Sequence, residues 1–152
     1  MGVHGKVDSL TENDVVECVC RHLESSGWVV ESWCTTQQTG EDIVAWDASG
    51  GIRLSIEAKG ATSARVGSAR YGRPFDSAQV RVHVSEAVFK AMQVLSVSPG
   101  PGSVVAGIAL PANDMHYSMV RLVLPVLERL RVHLFWVHDG GRVTVGSPVP
   151  PS

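Results

Sequence analysis

The stretch GEDIVAWDASGGIRLSIEAK, residues 40–59, contains two short runs of strand-forming residues on either side of a turn. The runs Asp42–Trp46 and Ile52–Ala58 are rich in β-branched and aromatic side chains, which favour strands. The segment DASGG between them has the composition of a tight turn. These 20 residues therefore predict a β-hairpin, and the rest of the predicted fold is arranged around it.

Side-chain alternation divides the second strand of this hairpin into two faces, because successive side chains of a strand point to opposite sides of a sheet. One face is apolar (Ile52, Leu54, Ile56, Ala58) and the other is polar (Arg53, Ser55, Glu57, Lys59). Asp42 and Glu57 are nearly symmetric about the centre of the turn, so a regular register brings Asp42 across from Glu57 or Lys59. Two carboxylates and a lysine are therefore expected to converge on one surface.

Helices and further strands are predicted on both sides of the hairpin. Thr11 can cap a helix that runs to Ser26, and apolar residues at helical spacing mark a second helix. Pro125 is expected to kink or restart a third helix, because proline lacks the backbone donor that a helix interior needs. In chain order, the predicted elements are the helix Thr11–Ser26, the strand Trp28–Cys34, the two hairpin strands, the helix Ser77–Ser96, the strand Val104–Leu110, a helix from about His116 to Leu130, and the strands Val132–Val137 and Arg142–Val145. The predicted fold is α/β: a mixed central sheet flanked by helices, in the order αβββαβ, with a further helix and a C-terminal strand pair.

The length and composition favour one packed domain. A chain of 152 residues with 44% hydrophobic and 18% charged residues is long enough to bury a core without disulfides. We expect a flexible N-terminal arm (1–10), a single domain (11–146) and a proline-rich tail (147–152). The three cysteines, Cys18, Cys20 and Cys34, fit neither a redox motif nor a zinc motif, and we expect them to be buried thiols in a reducing cytoplasm. No apolar run is long enough to span a membrane.

The net charge of -2 excludes a chain coated in basic residues, so contacts with phosphate must be local. The predicted cluster of Asp42, Glu57 and Lys59 suits phosphodiester hydrolysis. A pair of carboxylates offers hard oxygen ligands to Mg²⁺, which lowers the pKa of a bound water. A neighbouring lysine can orient that water or offset charge on the phosphate.

These residues resemble the PD-(D/E)xK nuclease superfamily, which includes restriction endonucleases and Holliday-junction resolvases. Asp42 matches the first acid of the motif, and Glu57-Ala58-Lys59 matches its (D/E)xK tripeptide. The proline that gives the motif its name is absent, and Glu41 stands before Asp42 in its place. The resemblance extends from about Thr11 to Ser96. It implies a restriction-endonuclease-like fold and a deoxyribonuclease that uses Mg²⁺ or Mn²⁺.

The resemblance also implies roles for single residues. The metal would be held by Asp42, Glu57 and the Ala58 carbonyl. A glutamate on the first helix often joins such a site, and Glu17 matches it. The superfamily often has a glutamine early in the following helix, and Gln79 falls there.

A basic segment follows the tripeptide. Gly60–Pro74 is rich in glycine and small polar residues and is predicted to be a loop. Four arginines and a tyrosine stand in or just after it: Arg65, Arg70, Tyr71, Arg73 and Arg81. Arginine forks suit phosphate oxygens, so this segment is predicted to contact the DNA backbone. The alternative is a solvated arginine-rich loop.

Other interpretations of the sequence stay open. Glu57 and Lys59 could form an ordinary surface ion pair, and Asp42 could be only a turn residue. The chain could also be a catalytically silent or partner-dependent DNA-binding subunit with the same fold. A third possibility is a small interaction protein with no nucleic-acid role. Sequence-specific cutting by so small a chain would require a homodimer or a partner protein.

Overall fold

The computed structural model describes residues 5–33, 40–63, 73–97, 100 and 102–147. Four α-helices and six strands lie within these ranges, together with two short 3₁₀ helices, Val7–Ser9 and Asp139–Gly141. The helices are α1 (Glu12–Ser25), α2 (Ser77–Ser96), α3 (Asp114–Arg121) and α4 (Leu124–Arg129). The strands are β1 (Val29–Trp33), β2 (Ile43–Trp46), β3 (Arg53–Ala58), β4 (Val104–Pro111), β5 (His133–Val137) and β6 (Val143–Val145).

The six strands form one mixed sheet in the order β1-β2-β3-β4-β5-β6. Strands β1, β2 and β3 pair antiparallel, β3, β4 and β5 pair parallel, and β6 returns antiparallel to β5. The hairpin predicted for residues 40–59 is present as β2 and β3. A mixed sheet with helices on both faces is therefore confirmed.

The two faces of the sheet have different coverings. Helix α1 packs on one face, where Leu54, Ile56 and Ala58 of β3 join an apolar cluster with it. Helices α2, α3 and α4 cover the other face over β4 and β5. Within the described residues, β2 and β3 contribute no side chain to that second apolar cluster. The α2-facing side of β3 is polar, as the alternation along this strand predicts.

The restart of the third helix is one of the two outcomes expected at Pro125, whereas the N-terminal segment differs from the sequence expectation. The third predicted helix is divided into α3 and α4, and Pro125 lies in the first turn of α4, where a missing backbone donor does no harm. The segment expected to be a flexible arm lies against the domain from residue 5 onward. Leu10 is buried in the core, and the Val7 N–H donates to the Asp139 carboxylate.

Cys18 and Cys20 are buried free thiols, as expected, and Cys34 lies outside the described residues. Burial raises the pKa of Cys18 to about 11 and that of Cys20 to about 12, so both are protonated at neutral pH. No helix in the described part of the chain is long and apolar enough to cross a membrane.

Candidate active site

The hairpin register brings Asp42 to Glu57. Ile43 pairs with Ile56 in the antiparallel ladder, and continuing that register by one residue sets Asp42 opposite Glu57. The Ala58 backbone N–H donates to Asp42 Oδ2 at 2.8 Å, which fixes the carboxylate against the start of the strand pair. Asp42 is only 8% exposed. The predicted convergence of the two acids is therefore present, and the two carboxylates lie where solvent screens them poorly.

Both acids are destabilised in their charged form. Burial, and then the nearby charge of Asp42, raises the pKa of Glu57 from 4.5 to about 7. Burial also raises the pKa of Asp42, and this outweighs the hydrogen bond from Ala58 and the charge of Lys59. Glu57 Oε2 is buried and has no hydrogen-bond partner among the described residues. A buried acceptor of this kind is costly unless a proton, a cation or a ligand satisfies it.

Lys59 completes the predicted triple. Its Nζ lies 3.6 Å from Glu57 Oε1 and 2.9 Å from Glu86 Oε2 of α2. Burial alone would lower the pKa of Lys59, but the hydrogen bond to Glu86 and the surrounding carboxylates outweigh burial and raise it. Lys59 is therefore a partly buried, fully protonated cation at neutral pH, and an exposed surface ion pair does not describe it.

A third acid, Glu12, reaches the cluster from the first turn of α1. Gly60 allows this approach, because a Cβ at that position would lie 2.5 Å from the Glu12 backbone nitrogen. The Ala61 N–H donates to the Leu10 carbonyl at 2.7 Å and secures the contact. Burial, and then the charge of Asp42, raises the pKa of Glu12 to about 7. The end of β3 and the start of α1 are thus joined at the site.

Helix α2 supplies the opposite wall. Glu86 and Lys90, one helical turn apart, both interact with the cluster. The charge of Lys90 acts on Asp42 and Glu57 and lowers the pKa of each. His83, one turn before Glu86, has its own pKa lowered by burial and by the charge of Lys59. Sequence reasoning missed Glu12, Glu86 and Lys90; the only signal for the last two was their spacing of four residues on one helix.

The structure does not bring Glu17 to the cluster. Its carboxylate pairs with Arg21 on the exposed face of α1. Glu17 follows Glu12 by five residues, which turns it about 140° away at ~100° per residue. Gln79 closes a capping box at the start of α2: its Oε1 accepts from the Asp76 N–H at 3.0 Å, and its own N–H donates to Asp76 Oδ1 at 2.9 Å.

Three residues of the predicted DNA-contacting segment, Arg65, Arg70 and Tyr71, lie outside the described residues. Arg73 and Arg81 are exposed. The base of the segment is held together, because Thr62 Oγ1 donates to the Arg73 carbonyl at 2.6 Å and Thr62 pairs with Pro74 in an isolated bridge. The bridge between Thr62 and Pro74 thus lies between Lys59 and the start of α2.

The donor set fits a Mg²⁺ or Mn²⁺ ion held by two carboxylates. Across the described ranges, no three His, Cys, Asp or Glu side chains form a group that could hold a metal ion. Mg²⁺ is commonly bound through only one or two carboxylates, with water and substrate phosphate completing its shell. Asp42 and Glu57 provide such a pair, and the unpartnered Glu57 Oε2 is an available hard ligand. These residues would leave the remaining coordination positions of the ion to water and substrate phosphate.

Comparisons with models of protein families, with curated proteins and with solved structures give no match to this chain. The likeness to the PD-(D/E)xK nucleases therefore rests on Asp42, Glu57 and Lys59 and on the elements that carry them.

Proposed function

We propose that this chain is a divalent-metal-dependent deoxyribonuclease of the PD-(D/E)xK type. One observation carries the proposal: Glu57 lies half-buried opposite Asp42 with its pKa raised to about 7, and its buried Oε2 has no hydrogen-bond partner in the described part of the chain. Such an arrangement lowers stability unless a cation or a substrate uses it.

The residues divide into ligands and a cation. Asp42 and Glu57 would hold Mg²⁺ or Mn²⁺, with the Ala58 carbonyl as a further ligand. Glu12 is the acid of α1 whose charge acts on this pair, and it is not proposed as a ligand. When bound, the metal supplies a water of lowered pKa and positive charge for the phosphate. Lys59, protonated and held by Glu86, orients the attacking water or offsets charge on the phosphate oxygens.

DNA is the proposed substrate because of the basic segment beside the site. Arg65, Arg70 and Tyr71 fall within this segment in sequence, and the bridge between Thr62 and Pro74 that flanks it lies between Lys59 and the start of α2. Arg73 and Arg81 are exposed near the same end of α2, where their guanidinium groups can meet phosphate oxygens. These contacts position a backbone and carry no base specificity.

Cleavage assays test the proposal. Supercoiled plasmid, linear, flapped and four-way-junction DNA are incubated with Mg²⁺, with Mn²⁺ or with EDTA. An RNA of the same sequence tests whether the protein also cleaves phosphodiester bonds between riboses. The variants Asp42→Asn, Glu57→Gln and Lys59→Met keep the side-chain size and remove charge. Each is expected to slow cleavage by about 10²-fold or more, the loss typical of a catalytic group.

Glu24→Gln is the matched control, because Glu24 is an exposed carboxylate on the outer face of α1. It is expected to cleave at the wild-type rate. The proposal fails if the wild-type protein is inert on every substrate with both metals. It fails equally if the three site variants retain full activity.

A second candidate function is a DNA-binding subunit that does not cleave. The close pairing of Lys59 with Glu86 at 2.9 Å favours it, because it ties the lysine to a carboxylate. The lack of a three-ligand metal group among the described residues favours it as well. Salt-dependent DNA binding that survives Asp42→Asn, without cleavage by the wild-type protein, would establish this function.

A further inference from the structure

A cavity of about 330 Å³ opens beside the acidic cluster, between α2 and the β2–β3 hairpin. Its size lies at the lower end of ligand pockets, which span roughly 300–1,000 Å³. One wall is apolar and consists of Val94, Val97 and Val104. The remaining lining is polar and includes Lys90 and Gln93 of α2. An apolar wall with a few convergent polar groups is typical of a small-molecule or nucleotide site.

The cations around this cavity differ in how far they are neutralised. Arg53 donates to both oxygens of Glu41, one of them at 3.2 Å, and the pair is about 70% buried. Lys59 is held by Glu86 and Glu57. Lys90, in contrast, forms no ion pair within 4.0 Å in the part of the chain that the structure describes. It is a half-buried cation whose charge is left for an external anion.

Lys90 also links the cavity to the acidic cluster. It follows Glu86 by one helical turn and precedes Val94 by another, so these residues lie along one side of α2. Lys90 lines the cavity, and its charge acts on Asp42 and Glu57. Lys90 therefore stands between the acidic cluster and the apolar wall along α2.

We propose that this cavity binds one nucleotide of the substrate strand, with its phosphate on Lys90 and its sugar and base against Val94 and Val104. This inference rests on the proposed function, because it takes the strand to be the one that is cut. Gln93 at the rim offers an amide donor and acceptor to the edge of the base. Free nucleotides and inorganic phosphate both carry the phosphate group that Lys90 would bind, and an NMR titration with each distinguishes them.

Binding to single-stranded DNA tests the role of Lys90. A labelled oligonucleotide is titrated by fluorescence anisotropy in the Glu57→Gln background, so that cleavage does not interfere. Adding Lys90→Met is expected to weaken binding about tenfold, the loss for one charge-assisted hydrogen bond. It should also reduce the salt slope by about 0.7, the value for one phosphate contact on a single strand. Lys90→Arg should retain both affinity and slope.

Arg21→Met is the matched control, because it removes one positive charge from α1 on the opposite face of the sheet. It should change neither affinity nor slope by a comparable amount. Lys90→Met binding as tightly as this control, with the same salt slope, would overturn the inference. So would a protein that binds no DNA at any salt concentration.

Methyl NMR of valine-labelled protein tests the apolar wall. Thymidine 5′-monophosphate is expected to shift the methyl signals of Val94 and Val104, whereas inorganic phosphate should leave them nearly unchanged. Equal small shifts with both probes would contradict nucleotide binding at this wall. Neither measurement depends on turnover, so their failure is distinguishable from that of the proposed function, which shows as absent cleavage by the wild-type protein.

Discussion

Neutralising Glu57 should stabilise the metal-free protein while abolishing its activity. Burial and the neighbouring Asp42 raise the pKa of Glu57 from 4.5 to about 7. An acid whose folded-state pKa is raised binds its proton more tightly in the folded state, so stability is full below about pH 4.5 and is lost as the pH rises through 7. The shift of about 2.5 units corresponds to about 3 kcal/mol at pH 8, at ~1.36 kcal/mol per unit.

Glu57→Gln keeps the size of the side chain and has no charge to desolvate. At pH 8 in EDTA, urea unfolding is expected to give the variant a free energy of unfolding about 3 kcal/mol above that of the wild type. This advantage should shrink as the pH falls from about 7 to about 4.5 and be absent below that. Saturating Mg²⁺ should narrow the gap, because it binds the folded wild type. Glu24→Gln, at an exposed site, should show no such gain. A Glu57→Gln variant no more stable than the wild type at pH 8 would refute the reasoning.

Three further predictions concern single residues: His116, which is buried on α3, Gly60 and Glu86. Burial lowers the pKa of His116 from 6.5 to about 4, so stability is full above pH 6.5 and falls toward pH 4. From pH 7.5 to pH 4.5 the wild type should lose about 2.5 kcal/mol more than His116→Leu in urea unfolding; equal losses would contradict this. Gly60→Ala forces the start of α1 away from β3 and displaces Glu12. It should lower the free energy of unfolding by about 1–3 kcal/mol and slow cleavage. A variant with wild-type stability and cleavage rate would refute the contact. Glu86→Gln removes a negative charge that helps to raise the pKa of Lys59, so the alkaline limb of the cleavage profile should move to lower pH. An unmoved limb would argue against a role for the Lys59 proton.

The hairpin and its acids could be predicted because their positions follow from local rules. Strand alternation fixes which face carries Glu57 and Lys59, and the symmetry of a hairpin fixes which residue lies opposite. The observed pairing of Ile43 with Ile56 agrees with both. Nothing beyond residues 40–59 was needed for this part of the site.

The contribution of α1 could not be predicted in the same way. Helical periodicity shows which face of a helix is buried but not which end meets the sheet edge. The contact between Gly60 and the backbone of Glu12 is tertiary, and it brings the first turn of α1, rather than the turn that carries Glu17, to the acids. Glu86 and Lys90 likewise resemble a solvated pair in sequence, and only the placement of α2 beside β3 turns them toward the site.

The most direct test of the central claim is a crystal soaked in Mn²⁺ and measured for anomalous scattering. The account predicts a peak between the carboxylates of Asp42 and Glu57, with Lys59 beside it, and loss of that peak in Glu57→Gln crystals. A crystal with no peak there, or with Mn²⁺ bound only elsewhere, would contradict the metal site on which the proposed nuclease depends.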